Sequence, residues 1–244
     1  MTIKPALSYS MSDSMKALAI YYTVIIAING IMIILLRLFG SDGSFSGLNL
    51  STFIFNFILG LSTFRQTLLM LMQHGRSRHT VYLATAITAT TLAVIMSSVD
   101  MILTVLLNMT DKFFSLTVDG TAVTGLISGS GIFMYFNTMI TYLLCGLAGF
   151  IISAVYYRMN TFQKIIVSAG VPLTILVVLP LVDSLLKTNI FISLAKIAAL
   201  VLLGDAYFLP AIDSEIVVTL IRLGSILIVF AIYYLSIYKI KVKA

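Results

Sequence analysis

Long stretches of apolar residues without charge dominate this chain of 244 residues. A helix needs roughly 20 apolar residues to cross a hydrocarbon core of about 30 Å. Six runs of about this length predict an all-α membrane protein, with spans at about 17–36, 53–72, 81–107, 131–156, 165–182 and 216–238. The composition agrees, because only 10% of the residues are charged, against about 25% in soluble domains.

Two further segments differ from these spans. Residues 3–16 mix polar and apolar side chains, which fits either a short interfacial helix ahead of the first span or a frayed tail. The apolar stretch from Ile190 to Leu203 contains Lys196 and is too short for a span. We interpret the segment at about 187–210 as a re-entrant outer piece between the fifth and sixth spans. Residues 1–244 then form a single transmembrane domain.

The distribution of charge orients the spans. With the N-terminus in the cytoplasm, ten of the 15 Lys and Arg residues fall in cytoplasmic segments, and seven of the nine acidic residues fall outside. This bias follows the positive-inside rule and predicts six spans with both termini cytoplasmic. Topology and anionic membrane lipid thus account for the net charge of +6, and no nucleic-acid partner is expected.

The chain is short of residues that carry catalysis or bind metals. Its only Cys is Cys145, its only Glu is Glu215, and its two histidines are His74 and His79. An intramembrane serine protease needs a Ser and a His at membrane depth, whereas both histidines lie in one predicted cytoplasmic turn. A metalloprotease needs several His or Glu ligands. We therefore expect no catalytic residues, no metal, no cofactor and no enzyme activity in this chain.

Positive charge is concentrated in the turn at about 73–80, between the second and third spans. Gly75 is expected to end the preceding helix, and Ser77 or Thr80 can cap the next one. The pattern fits a purely topological role or a docking element for a cytoplasmic partner. The candidate docking residues are Gln73, His74, Gly75, Arg76, Ser77, Arg78 and His79.

Two charges are predicted to lie within the membrane, Asp100 in the third span and Arg222 in the sixth. Charges within spans are costly and are candidates for functional sites. At a rise of about 1.5 Å per residue, both lie roughly 8–9 Å outside the midplane. Equal depth and opposite sign predict an intramembrane ion pair that acts as a packing lock or latch. The alternative is that each side chain snorkels separately to the outer surface.

Small and polar residues predict close contacts between helices in three of the spans. They are Asn29 and Gly30 in the first span, Ala84, Thr88, Thr91 and Ser98 in the third, and Gly146 and Gly149 in the fourth.

The order of these parts resembles the permease subunit of an ABC-2 type transporter. The stretch LGLSTFRQTLLMLMQHGRSRHTVY, residues 59–82, is similar to the turn of short Firmicute-style exporters of amphipathic or antimicrobial peptides. By this resemblance, Gln73–His79 would be the coupling helix that sits in the groove of an ATPase. The chain has no G-x-x-x-x-G-K-[ST] loop, so ATP and Mg²⁺ would bind in a separate subunit.

The resemblance also implies partners and a place in the cell. Two permease copies, identical or paralogous, would face each other above two cytoplasmic ATP-binding cassette ATPases in the bacterial plasma membrane. The path between them would carry a hydrophobic or amphipathic substrate such as a peptide or drug. Its candidate polar lining residues are Asn29, Asn56, Ser62 and Thr63.

A membrane-embedded substrate-binding subunit of an ATP-dependent vitamin importer is the alternative function. That class also has six spans and uses an external ATPase, but it presents an Ala-rich face on its first span. Here the first span instead carries Tyr21, Tyr22, Ile25 and Ile26. A secondary transporter is less favoured, because no repeat of broken helices relates the two three-span halves.

Overall fold

The computed structural model describes residues 4–39, 48–73, 75, 77–114, 131–174, 177, 180, 193 and 215–238. Across these residues the chain forms helices and no strands. The helices are α1 (Lys4–Phe39), α2 (Leu48–Gln73), α3 (Arg78–Phe114), α4 (Gly131–Arg158), α5 (Thr161–Leu173) and α6 (Glu215–Tyr238).

Five of these helices, all except α5, are long and apolar enough to cross a membrane. This arrangement is that of a membrane-embedded, multi-pass protein, and it matches five of the six predicted spans. The predicted fifth span, 165–182, overlaps α5 and then continues mostly into residues outside the described part. The predicted re-entrant segment at 187–210 lies outside it as well, apart from Ser193. The positions of both termini and a sixth span stay predictions.

Helix α1 corrects the expectation of a separate interfacial helix or a frayed tail at the start of the chain. It runs unbroken from Lys4 to Phe39. Residues 6–29 contain neither Gly nor Pro, so nothing in the sequence interrupts the hydrogen-bond ladder. The serines of the first turns are also suited to burial between helices. Ser10 is 1% exposed and lies 3.2 Å from the Thr88 hydroxyl of α3.

The turn between α2 and α3 has the predicted geometry. Gly75 adopts a φ of 66°, a left-handed conformation that side chains with a Cβ disfavour. The backbone amide of Thr80 donates to Ser77 Oγ at 3.3 Å, so Ser77 caps α3. Val81 N also donates to the Ser77 carbonyl at 3.2 Å. The short turn therefore places α2 and α3 side by side and antiparallel.

Helices α2 and α4 form the tightest contact in the described bundle. A Cβ at Gly60 would lie 2.5 Å from the Gly146 carbonyl oxygen, and one at Gly149 would lie 2.6 Å from the Phe57 carbonyl oxygen. The predicted contact role of Gly146 and Gly149 is confirmed, whereas a Cβ at Gly30 would meet nothing within 4 Å. Glycine at these crossing points allows two backbones to touch directly.

Burial decreases from the centre of the bundle to its periphery. Within the apolar windows, 67% of the α4 residues are buried, against 44% for α2 and α3, 22% for α6 and 11% for α1. The predicted small-residue stripe of α3 faces inward at Ala84 and Thr88, which are both fully buried. Helix α5 has no buried residue and is joined to α4 by a hydrogen bond of 2.6 Å between the Tyr156 and Ser168 hydroxyls.

Candidate functional site

Asp100 is buried in α3 and joins three helices. The Tyr22 hydroxyl of α1 donates to Asp100 Oδ1 at 2.8 Å, and the Tyr142 hydroxyl of α4 donates to Asp100 Oδ2. The Tyr22 hydroxyl also lies 3.2 Å from the Met96 carbonyl oxygen. Both carboxylate oxygens therefore accept hydrogen bonds from neutral donors. Asp100 is only 2% exposed, and these bonds lower the free-energy cost of burying its carboxyl group.

Arg222 is fully buried in α6 and binds polar groups of α4. Its Nη1 donates to Asn137 Oδ1 at 2.9 Å. Its Nη2 donates to the Asn137 carbonyl oxygen at 3.3 Å and to Thr141 Oγ1. This guanidinium, with its fixed fork of donors, thus attaches α6 to one turn of α4.

The two buried charges contact neighbouring positions of the same helix. Thr141 binds Arg222 and the next residue, Tyr142, binds Asp100. Asp100 and Arg222 thus have neutral partners on α4, and their direct ion pair stays a prediction. Among the described residues, no group of three or more His, Cys, Asp or Glu side chains could hold a metal ion.

The candidate docking turn is exposed at one end of the bundle. Gln73, Ser77 and the two side chains that begin α3, Arg78 and His79, are exposed, while His74 and Arg76 lie outside the described residues. Arg78 Nη1 donates to the carbonyl oxygen of Tyr238 at 2.7 Å. Because carbonyl groups at a helix C-terminus lack partners within the helix, this bond ties the turn to the end of α6.

A cluster of aromatic side chains lies directly behind this turn. Tyr233 of α6 is fully buried, and its ring centre lies 5.5 Å from that of Tyr82 and 5.9 Å from that of Phe150. The ring of Phe64 completes the group at 6.2 Å. The Tyr233 hydroxyl lies 2.5 Å from Thr85 Oγ1. The turn therefore rests on a packed core that links α2, α3, α4 and α6.

The four candidate path-lining residues lie in different settings. Asn56 is buried and donates from Nδ2 to the Tyr142 carbonyl oxygen at 2.6 Å. Asn29 donates to the Ile25 carbonyl of its own helix at 2.8 Å. Thr63 is buried, whereas Ser62 is exposed and bonds to the Leu59 carbonyl. In the single chain, Asn56 holds α2 to α4, and a shared lining role for the four stays a prediction.

The sequence reasoning missed most partners of the buried charges. Tyr22, Tyr142, Asn137 and Thr141 were not identified as site residues, although they surround Asp100 and Arg222. A signal was present, because tyrosine hydroxyls in the middle of an apolar span need a partner when buried. Pairing such tyrosines with a buried carboxylate on another span would have found the Asp100 contacts.

Comparison with protein-family models, with curated proteins and with solved structures finds no match for this chain. The helices and their contacts are therefore the basis for the function proposed next.

Proposed function

We propose that this chain is the transmembrane subunit of an ATP-driven exporter of the ABC-2 type in a bacterial plasma membrane. It would form the translocation path for a hydrophobic or amphipathic substrate such as a peptide or drug. ATP hydrolysis would take place in separate cytoplasmic ATPase subunits, and a second permease copy or paralogue would complete the path. The five long apolar helices support the membrane part of this proposal.

The observation that carries the proposal is the exposed turn between α2 and α3. A docking element must be accessible to a partner and also attached to the helices that it moves. Gln73, Ser77 and His79 are exposed, and Arg78 is bonded to the carboxyl end of α6 at 2.7 Å. The left-handed Gly75 gives the turn a defined shape. These features suit a lever that transmits motion to several helices.

The packing behind the turn indicates how a displacement would spread. At Gly60 and Gly149 the backbones of α2 and α4 touch directly, and there is no space between the two helices for even a Cβ atom. A push on the turn would therefore move α2 and α4 as one unit. The bond from Arg78 to Tyr238 would carry α6 with them. Helix α1 would follow through the hydrogen bond between Tyr22 and Asp100.

The test is co-purification from the native membrane in mild detergent. We expect the tagged chain to retain a protein with ATP-binding cassette motifs, identified by mass spectrometry. The charge-reversing variant R76E/R78E should retain at least about tenfold less of this ATPase. Like charges that face each other across an interface oppose binding.

The matched control is the double variant R158E/K164E. Both of its residues are exposed near the α4–α5 connection, and the charge change is the same. It should retain the ATPase at the level of the unchanged chain. Equal loss in both variants would show that charge in general is responsible, and normal retention in R76E/R78E would remove the docking role of the turn. Recovery of the chain with a bound vitamin and no ATPase would overturn the proposal in favour of the importer alternative.

A further inference from the structure

A cleft between the adjoining ends of α3 and α6 has the features of a ligand site. Its volume is about 240 Å³, and it is lined by Arg78, His79, Tyr82, Tyr234, Ile237 and Tyr238. Drug-sized ligands occupy pockets of about 300–1,000 Å³, so this cleft suits a smaller group. One wall comes from the first turn of α3 and the other from the last turn of α6.

The polar groups of the cleft favour an anion. Arg78 bears a permanent positive charge and is exposed, and His79 beside it is also exposed. Arginine has five N–H donors, and Nη1 is the nitrogen that bonds to the Tyr238 carbonyl. That bond holds the guanidinium beside the cleft, which Arg78 lines. Phosphate, like carboxylate, is an anion that such a fork binds through two parallel hydrogen bonds.

The position of the cleft identifies the source of the phosphate. Tyrosines are enriched where spans leave the hydrocarbon core, and Tyr234 and Tyr238 are 41% and 64% exposed. The exposed apolar side chains of Leu220, Leu223 and Leu227 form a stripe on the same face of α6 as Tyr234 and Tyr238, at spacings of three and four residues. A lipid could place its acyl chain on this stripe and its headgroup in the cleft. A soluble phosphate compound would leave the stripe unused.

We propose that the cleft between α3 and α6 binds the phosphate of an anionic phospholipid headgroup, with Arg78 and His79 as its ligands. Arg78 makes the charged hydrogen bonds and His79 adds a second donor. Tyr82 and Tyr234 flank the glycerol part. The lipid would join α3 to α6 at the same place as the bond from Arg78 to Tyr238. This proposal does not depend on an ATPase partner.

The experiment is native mass spectrometry of the full chain. The chain is purified in detergent, defined lipids are added to it, and the detergent is removed in the instrument. Phosphatidylglycerol and phosphatidylcholine with matched acyl chains are titrated separately. We expect phosphatidylglycerol to bind about fivefold more tightly, and H79Q and R78Q each to lower its affinity about two- to fivefold. H79Q changes the cleft without removing the bond between Arg78 and Tyr238, and R78Q keeps an amide donor near the Tyr238 carbonyl.

The control is R158Q, which removes an exposed positive charge at the same end of the bundle but outside the cleft. It should bind phosphatidylglycerol as the unchanged chain does. An equal loss in R158Q and R78Q would overturn the proposal in favour of general charge attraction. Equal affinity for both lipids would overturn it as well. Full displacement of the lipid by millimolar inorganic phosphate would show a site for soluble phosphate and would also overturn the lipid assignment.

Discussion

The inner and outer helices of this bundle are held by different kinds of contact. Helices α2 and α4 meet backbone to backbone at Gly60, Gly146 and Gly149. Helices α1 and α6 bury far fewer residues and attach through Tyr22 and Arg222. Lipid tails are as apolar as leucine, so apolar contact alone gives helices little reason to associate. Backbone contact therefore dominates at the inner pair, where Asn56 adds one bond to the Tyr142 carbonyl. The outer helices depend on polar bonds in addition to apolar packing such as that of Tyr233.

The largest effect is expected at the inner contact. G149L places a branched side chain where a Cβ alone would lie 2.6 Å from the Phe57 carbonyl oxygen, so α2 and α4 must separate. We expect a loss of about 3 kcal/mol in the free energy of unfolding, or failure to accumulate. SDS titration in mixed micelles measures it. G224L is the control on α6, where a Cβ would meet nothing within 4 Å, and an equal loss there would contradict a specific crossing.

A smaller loss is expected when α6 loses its polar attachment. R222M keeps a long apolar side chain but removes the hydrogen bonds to Asn137 and Thr141, at a cost of about 2 kcal/mol. Hydrogen exchange should rise in α6 and remain unchanged in α2. S236A serves as the control, because the Ser236 hydroxyl donates to the Ile232 carbonyl of its own helix at 2.8 Å. Unchanged exchange in α6 of R222M would show that apolar packing suffices.

The polar attachment of α1 should contribute less to the free energy of unfolding than that of α6. Y22F removes one hydroxyl donor from Asp100 and retains the ring, which gives a loss of about 1 kcal/mol. Faster hydrogen exchange is expected in α1 alone. T23A provides the comparison, since Thr23 is exposed and bonds to the Ala19 carbonyl of α1 at 2.8 Å. If T23A loosens α1 as much as Y22F does, the bond to Asp100 is not what holds the helix.

The smallest effect has the opposite sign. Ser14 is 1% exposed, and its hydroxyl is the buried side-chain atom without a hydrogen-bond partner in the described part of the chain. S14A should raise the free energy of unfolding by about 0.5 kcal/mol, since it removes an unsatisfied polar group. S10A should lower it, because Ser10 contacts the Thr88 hydroxyl at 3.2 Å. Both are read from the same SDS titration, and a lower stability in S14A would contradict this account.

The sequence predicted features that depend on one segment alone. Span positions follow from apolar runs, and the end of α2 follows from Gly75, whose φ of 66° agrees. The Ser77 cap and the contact role of Gly149 were also predictable, because they need only a local pattern. Counting residues also places Asp100 and Arg222 at a similar depth, and that depth stays a prediction.

Features that depend on which helix faces meet could not be predicted. Whether Tyr142 points at Asp100 depends on the rotation of α4, which is set by the glycine contact with α2. The unbroken α1 was missed because a polar N-terminal segment is typical of a membrane surface. The burial of Ser10 depends on the hydroxyls of Thr67 and Thr88, which lie opposite it on other helices.

Consecutive residues of α4 hold the two buried charges, and this has a consequence for motion. Neighbouring positions on a helix differ by about 100° in direction, so Thr141 and Tyr142 face two different neighbours from one level. A displacement of α3 or α6 breaks one of these contacts and leaves the other. A rotation of α4 about its own axis changes both at the same moment. The angular setting of this one helix therefore determines whether α3 and α6 are released separately or together.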